Sequence, residues 1–305
     1  MRHKCGLMAH FDPAKQPWLA KIASELGGAG QDHPLHGLSL EAATIGKFLG
    51  SGSFAAVFEL EDPSSVTPLA VKVLPRQGGE EAAKDDEIFR REVEIGLALE
   101  HPSITRIYRY LERQFGRFVI MDKVSGVTLS AVERPLSKQQ YRDIFGPLAD
   151  GLDYAHGQGV IHRDLKPENV MLVEDGSIRI LDFGMARQMG GTNVTVTGQF
   201  KGTPMYCAPE QVLDSKSVTP ACDQFSFALL SFEMLTGAFP YPMDSKQPLQ
   251  TLFARLQQPA ARLASVRPEL GEGADAVLAR MLSIKPEERF SSVKEGYQAL
   301  LAALP

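Results

Sequence analysis

The chain has 305 residues, which is long enough to bury a large core in one domain or in two lobes. Hydrophobic residues make up 44% and charged residues 23% of it, so a disordered or fibrous chain is excluded. The net charge of −5 excludes binding of nucleic acid through the overall charge of the molecule, although a local basic patch would be compatible with it.

The first 43 residues differ from the rest, because prolines and glycines interrupt them repeatedly. Between these breaks, Trp18, Leu19, Ile22, Ala23 and Leu26 recur at helical spacing and predict one short helix. We expect this helix to dock on the surface of the following domain or to belong to a mobile leader. A recruitment or regulatory helix is the alternative. The sequence therefore predicts an N-terminal extension over residues 1–43.

Residues 44–121 predict a small five-stranded sheet with one helix, because short apolar runs alternate with turn residues. The first two strands flank Gly50-Ser51-Gly52-Ser53, a glycine-rich hairpin. The helix is predicted over Ile88–Leu99 from the spacing of its apolar residues. The predicted strands are Ile45–Leu49, Ala55–Leu60, Leu69–Leu74, Ile104–Glu112 and Arg117–Met121.

After residues 122–126 the pattern becomes mainly helical, which predicts an α-rich second lobe. One short hairpin interrupts it, with strands Val170–Val173 and Ile178–Leu181 on either side of a polar turn. The predicted helices are Tyr141–His156, Asp223–Thr236, Leu249–Leu256, Ala274–Leu282 and Ser292–Ala303.

The most apolar run, Phe225–Leu235, is too short to cross a bilayer and contains Glu233, so we expect a buried helix and no membrane segment. The three cysteines, Cys5, Cys207 and Cys222, include no CxxC pair, which argues against a disulfide scaffold and against a zinc site. We therefore expect a reducing, cytoplasmic setting.

Polar groups with no evident packing role stand at both ends of the predicted hairpin. Asp164, Lys166 and Asn169 precede its first strand, and Asp182 follows its second strand. Because a hairpin brings its two ends together, we expect these groups to share one edge. Carboxylate and amide oxygens suit divalent cations, and an ammonium suits phosphate oxygens. The hairpin is therefore the first candidate site.

Two features of the first lobe also suit phosphate. The glycine hairpin lets backbone N–H groups approach phosphate oxygens closely, but it is not a Walker A loop, because no Gly-Lys-Ser/Thr follows. Lys72 stands in the apolar strand Ala70-Val71-Lys72, where a long cation needs a partner. Glu92 of the following helix is that expected partner, although a surface lysine that extends to solvent is the alternative reading.

These pieces occur in one order with His162-Arg163-Asp164-Leu165-Lys166, Asp182-Phe183-Gly184 and Ala208-Pro209-Glu210. In this combination the chain resembles the protein-kinase superfamily, specifically the eukaryotic-like (Hanks-type) serine/threonine kinases of bacteria, over residues 44–301. The resemblance implies an α+β, bilobal protein-kinase-like fold with a β-rich N-lobe (44–121), a hinge (122–126) and an α-rich C-lobe (127–301).

The resemblance also implies the roles of the site residues. Asp164 would be the catalytic base, and Lys166 would neutralise charge on the transferred γ-phosphoryl group. Asn169 and Asp182 would bind Mg²⁺, for which Mn²⁺ can substitute. Lys72, positioned by Glu92 rather than by the neighbouring Glu94, would hold the α- and β-phosphates.

The same resemblance implies ATP as the nucleotide, bound between the lobes, and protein serine or threonine hydroxyls as acceptors. Met121 would be the gatekeeper, and the backbone of Asp122 and Val124 would contact the adenine ring. The implied ATP-binding residues are Leu49, Gly50, Ser51, Gly52, Ser53, Val57, Ala70, Lys72, Met121, Asp122, Val124 and Met171.

Regulation by phosphorylation is implied by Arg163, which directly precedes the catalytic aspartate. Thr195 and Thr197 stand where bacterial relatives autophosphorylate, and a phosphate there would pair with Arg163 and order the loop. Autophosphorylation in trans would require self-association. Gly96 departs from the family pattern, since relatives place a larger apolar residue there, and this departure suggests that helix positioning depends on phosphorylation or a partner.

Structural supports are implied as well, namely a buried ion pair between Glu210 and Arg289 and a brace from Asp223 to the catalytic loop. The alternative function is a pseudokinase, a nucleotide-binding scaffold without turnover, although every catalytic position is filled. A small-molecule kinase is disfavoured, because the segment from Gly202 to Glu210 resembles one that docks peptides.

Overall fold

The computed structural model divides the chain into two compact units. The first comprises Met1–Ala98 and Arg106–Lys123, and the second comprises Leu99–Thr105 and Val124–Pro305. No helix among the described residues combines the length and the apolar character that a membrane span needs. The structure describes residues 17–27, 33–51, 55–76, 82–183, 204–213, 218–242 and 255–305.

An antiparallel sheet, whose described strands follow the order β1-β2-β3-β4-β6-β5, forms most of the first unit. The predicted five-stranded sheet gains β1, because a two-residue strand is too short to show an alternating pattern. The helices of this unit are α1 (Trp18–Glu25) and α2 (Ala82–Leu97), and its strands are β1 (Ser39–Leu40), β2 (Ala43–Ser51), β3 (Ala56–Glu61), β4 (Leu69–Pro75), β5 (Ile107–Glu112) and β6 (Gly116–Asp122).

The predicted short helix near the N-terminus exists as α1 and is docked on this sheet. Leu19, Ile22 and Leu35 are fully buried in one apolar cluster with the inward-facing side chains of β3, β4 and β6. The Glu25 carboxylate accepts from the backbone N–H of Phe115 at 3.0 Å, which ties the end of α1 to the β5–β6 turn. Residues before the first predicted strand thus complete the core of the first unit.

The second unit is mainly helical, as the sequence predicts. Its small three-stranded sheet, ordered β7-β8-β9, contains the predicted hairpin. The helices are α3 (Lys138–Gly157), α4 (Pro209–Leu213), α5 (Ala221–Thr236), α6 (Leu263–Val266), α7 (Gly271–Met281) and α8 (Val293–Ala303), and the strands are β7 (Gly126–Thr128), β8 (Val170–Val173) and β9 (Ile178–Ile180).

Helix α5 lies at the centre of the second unit. Most of its residues are buried, which confirms the buried helix expected from the apolar run. It ends at Gly237, whose positive φ of 75° is a conformation that glycine adopts without strain. The predicted helix Leu249–Leu256 lies largely outside the described residues.

The ion pair expected between Glu210 and Arg289 is confirmed. The Arg289 guanidinium donates to both carboxylate oxygens, at 2.6 and 2.9 Å, and the Arg289 side chain is fully buried. In a bidentate pair each buried charge has a partner of opposite charge, whereas a single buried charge without a partner would destabilise the fold. It joins the start of α4 to the segment before α8.

Candidate active site

Two of the predicted catalytic side chains and one predicted metal ligand meet in the loop before β8. The Lys166 ammonium lies 2.6 Å from the Asp164 carboxylate, and the Asn169 amide donates to the Asp164 carbonyl at 2.7 Å and to its carboxylate at 3.2 Å. The Asp164 side chain remains 44% exposed, while Asn169 is 6% exposed. The arrangement holds one accessible carboxylate between a fixed cation and a fixed amide.

The β8–β9 hairpin brings its two ends together, as expected from the sequence. Val170 pairs with Ile180, and the Leu181 N–H donates to the Asn169 carbonyl at 2.8 Å. Asp182, the next residue, has a left-handed backbone with φ of 61°. Asn169 and Asp182 are therefore held at one edge of this small sheet.

The ring of His162 ties the loop to the hairpin. Its Nδ1 accepts from the Asp164 N–H at 3.3 Å, and its Nε2 lies 2.8 Å from the Leu181 carbonyl. Since a carbonyl only accepts, Nε2 carries the proton. Phe183 packs edge-on against the same ring with centroids 4.8 Å apart. Both sides of the candidate site are thus positioned by one buried imidazole.

Asp223 braces the same loop from α5, which confirms the predicted support. Its carboxylate accepts the backbone N–H groups of His162 and Arg163, each at 2.8 Å, and contacts Nε2 of His156 at 2.7 Å. Arg163 needs this brace, because its φ of 66° is strained for a residue other than glycine. Burial raises the pKa of Asp223, but the contact with His156 and the hydrogen bond from the Arg163 N–H help to outweigh it, and that pKa is lowered.

The donor set at the hairpin edge fits a magnesium ion bound together with phosphate. Because Nδ2 of Asn169 donates to Asp164, Oδ1 is the amide atom left for a cation. Within the described ranges, no group of three or more His, Cys, Asp or Glu residues is arranged to hold a metal. Mg²⁺ requires no such cage, since it keeps several waters and takes one or two protein oxygens plus phosphates.

In the first unit, strand register places Lys72 among the residues expected around the nucleotide. Val57 pairs with Lys72 across β3–β4, and Ala70 pairs with Met121 across β4–β6. Paired residues and residues two apart share a face, so all four side chains lie on one face of the sheet. This is the face opposite the one that α1 covers. Lys72 is 5% exposed there.

Helix α2, which carries the half-buried Glu92, packs on the Lys72 face. Arg117 and Met121 lie on the same face of β6, because they are four residues apart along the strand. The Arg117 guanidinium binds Asp86 of α2 and lies 4.8 Å over the ring of Phe89. Lys72 and Glu92 therefore belong to the same side of the sheet. Their pairing stays a prediction, as does the choice of Glu92 over Glu94.

The remaining predicted residues are distributed over both units. Leu49 is 42% exposed near the end of β2, Gly50 pairs with Val57, and Ser51 ends β2. Asp122 ends β6 in the first unit, whereas Val124 and the half-buried Met171 belong to the second. The expected positions that lie outside the described residues are Gly52, Ser53, Thr195 and Thr197.

Sequence reasoning missed two side chains that hold the loop. His156 contacts Asp223 from α3, and Gln211 of α4 reaches the Arg163 carbonyl at 2.8 Å. Neither stands in a short motif, and these two contacts join residues that are distant in sequence. Periodicity could place them on helices but could not identify their partners.

Comparison with known proteins agrees with this geometry. A family model described as "Protein kinase domain" matches residues 43–300. The serine/threonine-protein kinase PknB of Mycolicibacterium smegmatis is 31% identical over 267 residues, covering 82% of this chain and 41% of the relative. PknJ of Mycobacterium tuberculosis, also named a serine/threonine-protein kinase, is 32% identical over 269 residues, covering 85% and 45% respectively.

A solved structure also matches the fold. The crystal structure of the Mycobacterium tuberculosis PknI kinase domain superposes with a TM-score of 0.68 at 27% identity, covering 88% of this chain and 98% of that domain. This match confirms the α+β, protein-kinase-like fold class expected from the motifs. The chain spans less than half the length of the curated relatives it matches, at 41% and 45%.

Proposed function

Because this chain belongs to the protein kinase domain family, we propose that it transfers the γ-phosphoryl group of ATP to serine and threonine hydroxyls of proteins. The names of its relatives support the choice of serine and threonine as acceptors. The observation that carries the proposal is the cluster of Lys166 and Asn169 around the accessible carboxylate of Asp164.

Asp164 is assigned as the base that orients the acceptor hydroxyl and takes its proton. Its 44% exposed side chain leaves room for a hydroxyl to approach, and the amide of Asn169 limits the positions it can adopt. The ammonium of Lys166 is positioned to neutralise charge on the transferred phosphoryl group. Catalysis of this kind depends mainly on orientation and on fixed charge.

Asn169 and Asp182 are assigned as the protein ligands of Mg²⁺, for which Mn²⁺ can substitute. A bound divalent ion would neutralise the phosphate oxygens as charge develops on them. The protein's contribution is to hold Oδ1 of Asn169 and the carboxylate of Asp182 at one hairpin edge, through the bond from the Leu181 N–H to the Asn169 carbonyl.

The first unit is assigned the remaining contacts with ATP. Lys72 would bind the α- and β-phosphates, and Glu92 on the same side of the sheet would orient it. The backbone of Gly50 and its neighbours Leu49, Ser51, Gly52 and Ser53 would cover the phosphates. Contacts with adenine are assigned to Val57, Ala70, Met121 and Asp122 of the first unit and to Val124 and Met171 of the second.

Autophosphorylation on Thr195 and Thr197 is proposed as the activating step. Arg163 supports this assignment, since its guanidinium stands next to Asp164 in sequence and its backbone is fixed by Asp223. A phosphate carries about −1.5 to −2 charge at neutral pH, enough to bind such a cation. Modification in trans would require contact between two copies of the chain.

One experiment tests this function. The purified protein is incubated with radiolabelled ATP and Mg²⁺ beside Asp164→Asn, which keeps the side-chain size but removes the base. We expect the wild type to incorporate label at least 100-fold faster, consistent with a general-base contribution of about 10²–10⁴. Mass spectrometry should place the transferred phosphate on Thr195 and Thr197. The rate of this autophosphorylation should rise with protein concentration.

Equal incorporation by the two proteins would disprove the catalytic assignment. Nucleotide binding without incorporation in either protein would instead indicate a pseudokinase. Phosphate found only on other residues would contradict the proposed activating step while leaving the catalytic proposal intact.

A further inference from the structure

The backbone of residues 206–208 is held by side chains from three different helical segments. We call residues 204–210 the docking segment. The Ser226 hydroxyl donates to the Tyr206 carbonyl at 2.7 Å, and the buried guanidinium of Arg255 donates to the Cys207 carbonyl. The Ala208 N–H donates to Oε1 of Gln211 at 2.9 Å. Both polar atoms of the peptide bond between residues 207 and 208 are therefore fixed.

Gln211 also reaches the catalytic loop. Its Nε2 donates to the Arg163 carbonyl at 2.8 Å, and the residue is 8% exposed. The two partners fix the orientation of its amide, because an N–H can only donate and a carbonyl can only accept. One side chain thus bonds the docking segment at one end and the residue before Asp164 at the other.

Helix capping explains only one of these bonds. Ala208 precedes α4, and Gln211 is the third residue of that helix, where a glutamine side chain commonly accepts the N–H of the capping residue. Capping requires the Oε1 atom but makes no use of Nε2. The bond to the Arg163 carbonyl needs a separate explanation.

We propose that Gln211 is a positioning residue that couples the docking segment to the catalytic loop. The inference rests on the proposed kinase activity. Arg163 has a strained backbone, and Asp164 follows it directly, so a shift of the Arg163 carbonyl would move the base relative to a docked peptide. The hydrogen bond from Gln211 to the Arg163 carbonyl holds the docking segment and the catalytic loop in a fixed relative position.

The chain offers variants that separate capping from coupling. Gln211→Glu keeps an oxygen for the Ala208 N–H but cannot donate to Arg163, and Gln211→Met loses both bonds. Gln224 is the matched control, because its buried amide makes a similar double contact elsewhere. Its Oε1 accepts from the Phe290 N–H at 3.0 Å, and its Nε2 donates to the carbonyls of Phe290 at 3.0 Å and Ser292 at 2.8 Å.

The kinetic test uses ATP and a synthetic peptide with the sequence of residues 190–200, below the unfolding temperature of every variant. We expect Gln211→Glu to lower kcat for the peptide about tenfold, with KM for peptide and for ATP within about twofold of wild type. Gln211→Met should also raise KM for the peptide. Gln224→Met should lower Tm but leave these constants within about twofold.

Hydrogen exchange of the nucleotide-free proteins measures the same coupling in the absence of catalysis. Gln211→Glu should speed exchange of residues 162–169 while Ala208 stays protected, and Gln224→Met should affect only residues near Phe290. If Gln211→Glu shows normal kinetics and normal exchange, Gln211 acts only as a helix cap and the inference is overturned. A kinetic defect in Gln224→Met equal to that of Gln211→Glu would also overturn it. A wild type without phosphoryl transfer would refute the proposed function, while the exchange data still decide the coupling.

Discussion

At the scale of single residues, the loop that holds Asp164 depends on a buried charge pair. His156 lies 2.7 Å from Asp223 and 3.8 Å from Asp153, and its side chain is 9% exposed. Burial alone would lower the pKa of His156, but hydrogen bonds and charges from the two carboxylates outweigh it and raise that pKa to about 9. The imidazolium therefore helps hold the carboxylate that braces the catalytic loop.

This raised pKa predicts a loss of stability at alkaline pH. The folded state binds the proton of His156 more tightly than the unfolded state does. The stabilisation that this proton gives to the folded state is therefore complete below about pH 6.5. It should shrink as pH rises and vanish above about pH 9, a loss of about 3 kcal/mol in the free energy of unfolding. Denaturant titrations between pH 6 and pH 9.5 measure this change.

His156→Gln is the control, since it removes the titrating group but keeps a polar side chain. It should be less stable than wild type at pH 6 and should lack this part of the pH dependence. The same slope in both proteins would show that other groups are responsible.

At the scale of elements, helix α2 is anchored to its sheet by charge as well as by apolar packing. The Asp86 carboxylate accepts from Arg76 at 2.7 Å and binds the buried guanidinium of Arg117. Gly96 lets the other end of the helix approach β5, because a Cβ there would lie 2.9 Å from Cδ1 of Ile107. Both ends of the helix that carries Glu92 are therefore close to the sheet.

Breaking the charge anchor should destabilise the first unit. Asp86→Asn removes the carboxylate charge that Arg76 and the 7% exposed Arg117 both bind, and we expect a loss of about 3 kcal/mol in the free energy of unfolding. Glu112→Gln, at the end of β5, is the control, because its partner Arg90 of α2 is half exposed and such pairs contribute less than about 1 kcal/mol. Denaturant unfolding that ranks the two variants equally would contradict this assignment.

At the scale of the whole molecule, residues before the predicted domain start take part in the core. Helix α1 buries Leu19 and Ile22 against the face of the sheet that faces away from Lys72. Without α1 that face would expose a continuous apolar surface to water. The boundary between an extension over residues 1–43 and a domain that begins at residue 44 stays a prediction, although β1 and α1 already belong to the folded first unit.

Truncation of one α1 side chain tests this packing. Ile22→Ala should lower the free energy of unfolding by about 2–5 kcal/mol, since Ile22 is fully buried. Lys21→Ala, on the exposed side of the same helix, should change it by less than about 0.5 kcal/mol. Thermal or denaturant unfolding that finds no difference between the two would show that α1 contributes little to the fold.

Local patterns in the sequence predicted the elements and the chemistry of the candidate site. The strands of the glycine hairpin, the β8–β9 hairpin and helices α3 and α5 follow from apolar period and turn residues, because these signals are local in the chain. The motif residues Asp164, Lys166 and Asn169 identified the family, and their contacts lie within one short loop.

Only the tertiary structure decided what joins distant segments. The packing of α1 depends on residues far along the chain, such as Phe118 and Ile120 of β6. The sixth strand, β1, pairs with the adjacent β2 but is too short to show a pattern. The contacts of His156 with Asp223 and of Gln211 with Arg163 likewise span 67 and 48 positions. The sequence by itself determined the family and the catalytic groups, because those are encoded in contiguous motifs. The contacts that hold the catalytic groups in place were decided only by the tertiary structure, because they depend on which distant side chains the packed helices bring together.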